Sequence, residues 1–484
     1  MTAIATDNSV VVTFGVYLFI LFAVGFIGWR RTHTLTDYVL GGRRLGPWVT
    51  ALSAGASDMS GWLLLGLPGY AYASGLEALW LVAGLWLGTY LNWRLVAQRL
   101  REVSHQLDVL TIPDYLAARF NDTGRLLKVI AALCIIVFFT FYTASGLVAG
   151  GKLFNSVFAM PYLWAVMTGA AVIVVYTLIG GFLAVSWTDF LQGSLMLFAL
   201  VLVPVLAFSE STNTLSTIDS LEAINPALLD IWTDNSGVAL SGLAIVSLLA
   251  WGLGYFGQPH ILARFMAIHS PGKLKHARHI AMSWVSLSML GAVMAGLAGI
   301  LVFGSALQAD GERVFIELIG KLLQPLPAGI CLAAILAAIM STADSQLLVA
   351  SASLADDLYK SCWKTNASDR ELVWVGRLGV IVIAVVAAVI ARDPDSSVLN
   401  MVAYAWAGFG AAFGPVILFS LFKENMSRRQ AIVGMLTGAI TVAVWKHYDH
   451  GIFTVYELLP GFVLASLAIL LTGLVTGNSQ NARD

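Results

Sequence analysis

Residues Ala51 to Tyr70 read ALSAGASDMSGWLLLGLPGY. At about 1.5 Å per residue, a helix of that length crosses the hydrocarbon of a bilayer. A carboxylate, Asp58, stands near its middle, between Gly55 and Gly61 and beside Ser57 and Ser60. A charge at that depth costs roughly 2.5–3.5 kcal/mol on insertion scales, and such groups usually face water or protein. The glycines weaken the helix around the acid, and unwound backbone at membrane depth is tolerated only where protein buries it or a cavity lies beside it. The stretch reads as a broken helix whose freed carbonyls, hydroxyls and carboxylate can hold a cation. A kinked but ordinary span, with Asp58 snorkelling or hydrogen-bonded, is the alternative.

The rest of the chain is of the same kind. Of its 484 residues 58% are hydrophobic and 11% charged, and the mean hydropathy is +0.81. That composition gives an all-α polytopic membrane protein with one membrane domain and excludes a soluble globule. Cys134, Cys331 and Cys362 are scattered, the first two in apolar runs, so free thiols are expected. The run from Ser9 to Trp29 has no basic region before it and no small-residue cleavage site, and Arg30 and Arg31 follow at once. It reads as an uncleaved first span.

Apolar runs occur at 9–29, 47–71, 77–97, 124–150, 161–180, 187–208, 237–258, 280–304, 327–356, 372–391, 399–422, 427–446 and 452–475. By length they make about thirteen transmembrane helices. With the N-terminus outside, alternate loops on the cytoplasmic side collect the basic residues, from Arg30, Arg31, Arg43 and Arg44 through Arg264, Lys273, Lys275 and Arg278 to Arg483. Only Lys152, Arg313, Lys321, Arg392 and Lys446 of the 27 basic residues fall on the other side. The positive-inside rule then places the N-terminus outside and the C-terminus in the cytoplasm of an inner-membrane protein.

A second interrupted span answers the first. Ala250 to Pro259 reads AWGLGYFGQP, with Gly252, Gly254, Gly257 and Pro259 crowded into one helix. Counted from the span carrying Asp58 it is the sixth, so two successive groups of five spans lie in opposite orientation. Broken helices at matching places in two inverted halves point to a secondary transporter's binding site. The halves are 47–208 and 237–422, with 9–29 before them and 427–475 after.

Other residues join these two breaks. In ILAAIMSTADSQLL (Ile335–Leu348), Ala338, Ser341 and Thr342 share one helix face and offer two hydroxyls to a hard cation. Bonds from those hydroxyls back to their own helix are the competing explanation. Asp344, one turn on, is either a further cation ligand or a structural acceptor. Trp62, Tyr142, Trp251 and Tyr255 either line a small-molecule pocket or pack as membrane aromatics. In GGFLAVSWTD (Gly180–Asp189), Thr188 and Asp189 read as a helix cap or a stop on an ion's path. His276 and His279 have no carboxylate or thiol arranged with them for a metal. No P-loop, GxSxG or HExxH occurs, so neither ATP hydrolysis nor another enzyme activity is indicated. A channel would need a repeated filter and a continuous polar pore, and the sequence offers neither.

At these residues the chain resembles the sodium/solute symporter family, on its proline-carrying branch. The resemblance runs from about Phe14 to Thr476. It is strongest in GGRRLGPWVTALSAGASDMSGWLLLGLPG, FFTFYTASG, GGFLAVSWTD, LLAWGLGYFGQPHILARFMA, ILAAIMSTADSQLL and AYAWAGFGAAFGPV. It implies a five-plus-five inverted-repeat core of the leucine-transporter type, with one helix before it and two after. It also implies Na⁺ as coupling ion, no other cofactor, and L-proline as solute; pantothenate, a sugar or a short carboxylate is the alternative within the family. By the resemblance, the carbonyls of Ala56, Met59 and Ala338 and the hydroxyls of Ser341 and Thr342 bind Na⁺. Asp58 supports Na⁺ affinity, Asp189 lies on the inward Na⁺ route, and Arg43 serves coupling. Ser60, Trp62, Tyr142, Trp251, Tyr255 and Pro259 match the proline pocket, while relatives vary at Asp344. No sensor-kinase extension is expected after the last span, and membrane lipid, but no nucleic acid, is the expected surrounding.

Overall fold

The computed structural model describes residues 8–30, 35–179, 181–210, 217–448 and 450–481. Arg31, Gly180 and Arg483, used above, lie outside them. Among the described residues regular structure is helical, with two isolated β-bridges, Leu45 with Ile268 and Thr233 with Ala239.

The chain opens with α1 (Asn8–Arg30) and the short α2 (Leu35–Leu40). Gly41, Gly42 and Arg43 then turn it through positive φ (60°, 63° and 55°). Pro47 starts α3 (Pro47–Asp58), a place where its missing N–H does no harm. The chain leaves the helix at Met59 (φ −87°, ψ 80°) and resumes through a wide turn, Trp62–Gly66, into α4 (Leu67–Ser74). Gly75 (φ 65°) bends it into α5 (Ala78–Leu91), followed by α6 (Ala97–Gln106) and α7 (Ile112–Arg119), whose N-terminus the Thr111 hydroxyl caps. The long α8 (Leu126–Phe158), α9 (Tyr162–Ile179) and α10 (Phe182–Glu210) complete the first half of the chain.

After α11 (Thr217–Ile224) and α12 (Gly242–Leu249), a tight helical stretch, Ala250–Gly257, ends at the extended Gln258 (φ −83°, ψ 105°). Pro259 then begins α13 (Pro259–Ala267). Packing explains the glycines here. A Cβ on Gly252 would overlap the Gly84 carbonyl of α5, and one on Gly254 would overlap the Trp406 indole. The chain continues as α14 (Leu274–Phe303), α15 (Val314–Leu322), α16 (Pro325–Ala352), α17 (Asp369–Ile390) and α18 (Val398–Phe422). It closes with α19 (Arg428–Trp445), started by a Ser427/Gln430 capping box, and α20 (Leu458–Asn481).

Among the described residues nine helical stretches are long and apolar enough to cross a membrane. The 45-residue stretch Trp62–Gln106 counts once although Gly75 divides it, and Tyr162–Leu178 and Gly242–Gly257 are apolar but shorter. The centre of the bundle is α16, apolar on nearly every face and buried from Cys331 to Leu348. Ionic clusters pin the ends. Glu312 accepts the N–H groups of Val398 and Leu399, both at 3.0 Å, and Lys152 at 2.7 Å, so it caps α18. Elsewhere Lys128 bridges Asp114, Asp356 and Asp357 at 2.6, 3.3 and 3.2 Å.

Candidate functional site

The end of α3 frees one carbonyl. The Met59 N–H still reaches Gly55 at 2.8 Å, but the Ser60 N–H bonds Asp58 at 3.1 Å instead of Ala56. Into that gap α16 sends two hydroxyls. Ser341 Oγ lies 2.8 Å and Thr342 Oγ1 3.2 Å from the Ala56 carbonyl, and Ser341 Oγ is also 3.2 Å from the Ala338 carbonyl. Ala56, Met59, Ala338, Ser341 and Thr342 are all buried. Four oxygens from two helices therefore meet in dry surroundings. Each hydroxyl has lone pairs to spare and can turn its proton away, so the set suits a bare monovalent cation that exchanges water for oxygen ligands.

Asp58, only 2% exposed, sits two residues beyond Ala56. Tyr255, from the second interrupted stretch, donates to its Oδ2 at 2.7 Å, while Oδ1 has no hydrogen-bond partner among the described residues. The Asp58 carbonyl accepts Tyr142 OH at 3.0 Å and Trp62 Nε1 at 3.3 Å. Ser60, buried, offers its Oγ to the Trp62 N–H at 3.4 Å. One acid thus gathers Ser60, Trp62, Tyr142 and Tyr255 from three separate parts of the chain.

Trp251 stands one layer further out. Its ring stacks on Tyr456 (4.8 Å, 20°), and its carbonyl accepts Trp406 Nε1 at 2.8 Å. Trp406 in turn meets the Tyr255 ring edge-on at 4.9 Å. Pro259 is buried at the first position of α13 and is not among the groups bonded to Asp58.

Asp189 and Asp344 belong to a second polar cluster. Asp189 is not a cap: α10 starts at Phe182, so the acid lies well inside the helix. Its Oδ2 accepts Ser53 Oγ at 2.6 Å and Arg264 Nη2 at 3.1 Å. Arg264 also donates to Ser53 Oγ at 3.1 Å, to the His260 carbonyl at 3.0 Å and to Ser345 Oγ at 2.5 Å. Ser345 leads on to Asp344 Oδ1 at 3.4 Å. Ser53 precedes Ala56 by one turn and Ser345 follows Ser341 by one turn, so the two clusters are consecutive layers between the same helices.

Arg264 corrects the sequence reading, which counted it among loop residues. It is fully buried in α13. Its signal was present, since a lone Arg five positions after a helix-starting Pro, in a hydrophobic segment, requires a partner. That the partner is Asp189 could not be read from spacing. Arg43 ties together segments that are distant in sequence, donating to the Val109 and Ser104 carbonyls at 2.7 and 3.1 Å and the Met266 carbonyl at 3.3 Å. Burial, and then the nearby Arg101 guanidinium, push Arg43 down from the usual arginine range, with Asp108 acting against them.

The model of the sodium:solute symporter family matches residues 38–438, which include both breaks and α16. The chain belongs to that family. A sodium/proline symporter of Escherichia coli (strain K12) is 51% identical over 97% of this chain and 94% of its own. Its Salmonella typhimurium counterpart, also a sodium/proline symporter, is 50% identical over the same shares. Among solved structures, a Na⁺-coupled sialic acid symporter in a substrate-bound outward-open state superimposes with a TM-score of 0.80 at 20% identity, over 96% of this chain and 98% of that one. This symporter shares its leucine-transporter-type fold with that protein.

Proposed function

We propose that this symporter couples inward movement of Na⁺ to uptake of L-proline by alternating access, and that it is not an enzyme. The observation that carries the reading is the Ala56 carbonyl, left open by the helix break and met by Ser341 and Thr342. In this reading Na⁺ is held by the carbonyls of Ala56, Met59 and Ala338 and the hydroxyls of Ser341 and Thr342. Proline occupies the far side of the break, among Ser60, Trp62, Tyr142, Trp251, Tyr255 and Pro259. Asp58 stands between them, Asp189 and Asp344 lie on the ion's way inward, and Arg43 links ion binding to closure. The two halves of the core are 47–208 and 237–422. The N-terminus is outside and the C-terminus in the cytoplasm, in the inner membrane.

The energetics suit the task. Proline is a zwitterion, so the membrane potential acts through Na⁺, and 100 mV supplies about 2.3 kcal/mol for one ion. A tenfold Na⁺ gradient adds about 1.4 kcal/mol. Labelled-proline uptake by proteoliposomes in Na⁺, Li⁺ and choline media tests the proposal. Uptake should follow Na⁺ and show counterflow. Na⁺-driven entry of a sugar, pantothenate or a carboxylate, with none of proline, would remove the solute and leave the ion site.

A further inference from the structure

Outside the core, α3, α10 and α14 enclose an open groove of about 780 Å³. That is within the roughly 300–1,000 Å³ of small-molecule sites. Its walls are apolar, with Trp48, Phe190, Phe198, Val201 and Leu287 exposed on a membrane-facing surface. Its floor is Trp284, whose indole N–H bonds the Gly193 carbonyl at 2.9 Å. One end is basic. His279 lines the groove, and Lys273, Lys275 and His276 stand exposed just before it, in a segment, 268–279, that has no carboxylate. Leu45 pairs with Ile268, which brings Arg44 to the same end, where its largely exposed guanidinium lies 3.7 Å from Asp37 on one side and faces outward on the rest.

We propose that this groove is an anionic-phospholipid site, with an acyl chain along α10 and α14 and the headgroup phosphate among Arg44, Lys275, His276 and His279. The apolar walls alone select no particular lipid, because a chain entering them leaves one hydrocarbon environment for another. The basic collar supplies the selection, as basic clusters at a membrane surface do for anionic headgroups. The site also reaches the machinery. A Cβ on Gly55 would stand 2.9 Å from the Trp284 ring, so α3 rests directly on the groove's floor one residue before Ala56. A seated lipid holds α3 against Trp284 and thereby favours the arrangement in which Ala56 meets Ser341 and Thr342.

The test uses the full chain in phosphatidylcholine nanodiscs with a trace of phosphatidylglycerol bearing a diazirine on its acyl chain. Photolabelling should map to α10 and α14. Unlabelled phosphatidylglycerol should suppress it several-fold more than phosphatidylcholine does, and it should drop in Val201→Trp and in a Lys275→Gln/His279→Gln double variant. Adding phosphatidylglycerol should tighten equilibrium Na⁺ binding by about fivefold, the low end of ordinary coupling between sites. Equal competition by phosphatidylcholine, or label confined to other helices, would overturn the proposal. So would efficient disulfide dimers of Val201→Cys in a Cys362→Ser background, because a second copy would then cover the face. Labelling does not depend on transport, so a failed uptake assay leaves the lipid result standing.

Discussion

Asp58 and Asp189 are two buried acids on successive layers of the same bundle, held in opposite ways. Asp189 faces a fixed cation, the Arg264 guanidinium at 3.1 Å, and a serine hydroxyl at 2.6 Å. Asp58 has a tyrosine hydroxyl at 2.7 Å and no cationic side chain bonded to it, and each acid keeps one oxygen, its Oδ1, with no hydrogen-bond partner among the described residues. The first acid has its counter-charge built in. The second has a neutral donor and an oxygen cage two residues away, and in the proposed reading its counter-charge is a mobile ion. A buried charge without compensation is costly, so on the proposed reading the same physics has Arg264 brace the Asp189 layer of the ion's route and leaves the Asp58 layer to bind the ion.

The largest expected effect comes from removing the built-in cation. Arg264→Met leaves Asp189, and Asp344 beyond Ser345, without it, and breaking a buried pair costs about 3–5 kcal/mol. Against a usual total of about 5–15 kcal/mol, that should show as a sharp fall in folded protein and in thermal midpoint, read by detergent-solubilised unfolding. Pairing it with Asp189→Leu should recover part of the loss, because an apolar replacement for the whole pair is often neutral. An unchanged midpoint in Arg264→Met would erase the distinction between the two acids. Asp58→Asn should do the reverse, with normal folding and altered ion dependence. Hydrogen-bond and charge terms of about 1.5–3 kcal/mol correspond to a rise of roughly ten- to a hundredfold in the Na⁺ needed for half-maximal binding. Isothermal titration at fixed proline reads it. Unchanged Na⁺ dependence would put Asp58 with the struts.

The two clusters were not equally legible. Asp58 between Gly55 and Gly61 is a local anomaly, a charge and two weak helix formers in an apolar run, and local anomalies can be read from sequence. Ser341 and Thr342 were legible as a helix face, but their meeting with Ala56 needed the fold. The glycines of Ala250–Gly257 announced an interruption, whereas their cause, close contact with Gly84 and Trp406, is tertiary. Arg264 is hard to place from sequence because α13 is only nine residues long, Asp189 because α10 begins at Phe182, ahead of its apolar run, and their pairing spans 75 positions. The bend at Gly75 shows how parts of two of the thirteen apolar runs fall within one of the nine long apolar stretches found among the described residues.

Within the oxygen cage the effects should be smaller and graded by distance. Ser341 is the nearer hydroxyl, 2.8 Å from Ala56, and it also touches Ala338. On the proposed reading Ser341→Ala removes one ordinary ligand, worth about 0.5–1.5 kcal/mol, and should cost roughly two- to tenfold in Na⁺ affinity. Equilibrium ²²Na⁺ binding at matched protein levels measures it. A loss as large as that of Asp58→Asn would mean that Ser341 holds the fold of the break and not merely the ion.

The smallest effect is the one that separates an oxygen ligand from a packing group. Thr342 lies 3.2 Å from the Ala56 carbonyl and carries both a hydroxyl and a methyl in a buried position. Thr342→Val keeps the shape and discards the oxygen. Thr342→Ser keeps the oxygen and discards the methyl, which is worth about 0.8 kcal/mol of burial. If the hydroxyl is a ligand, Thr342→Val should weaken Na⁺ binding by about twofold or more, the low end for a lost hydrogen-bonding group, with little change in thermal midpoint. Thr342→Ser should lower the midpoint slightly and leave Na⁺ binding where it was. If instead Thr342 only packs α16 against the break, the serine variant loses Na⁺ affinity and the valine variant keeps it. That crossed result would move Thr342 from the mobile ion's side of the comparison to the side of Asp189, among groups that brace the bundle whether or not an ion is bound.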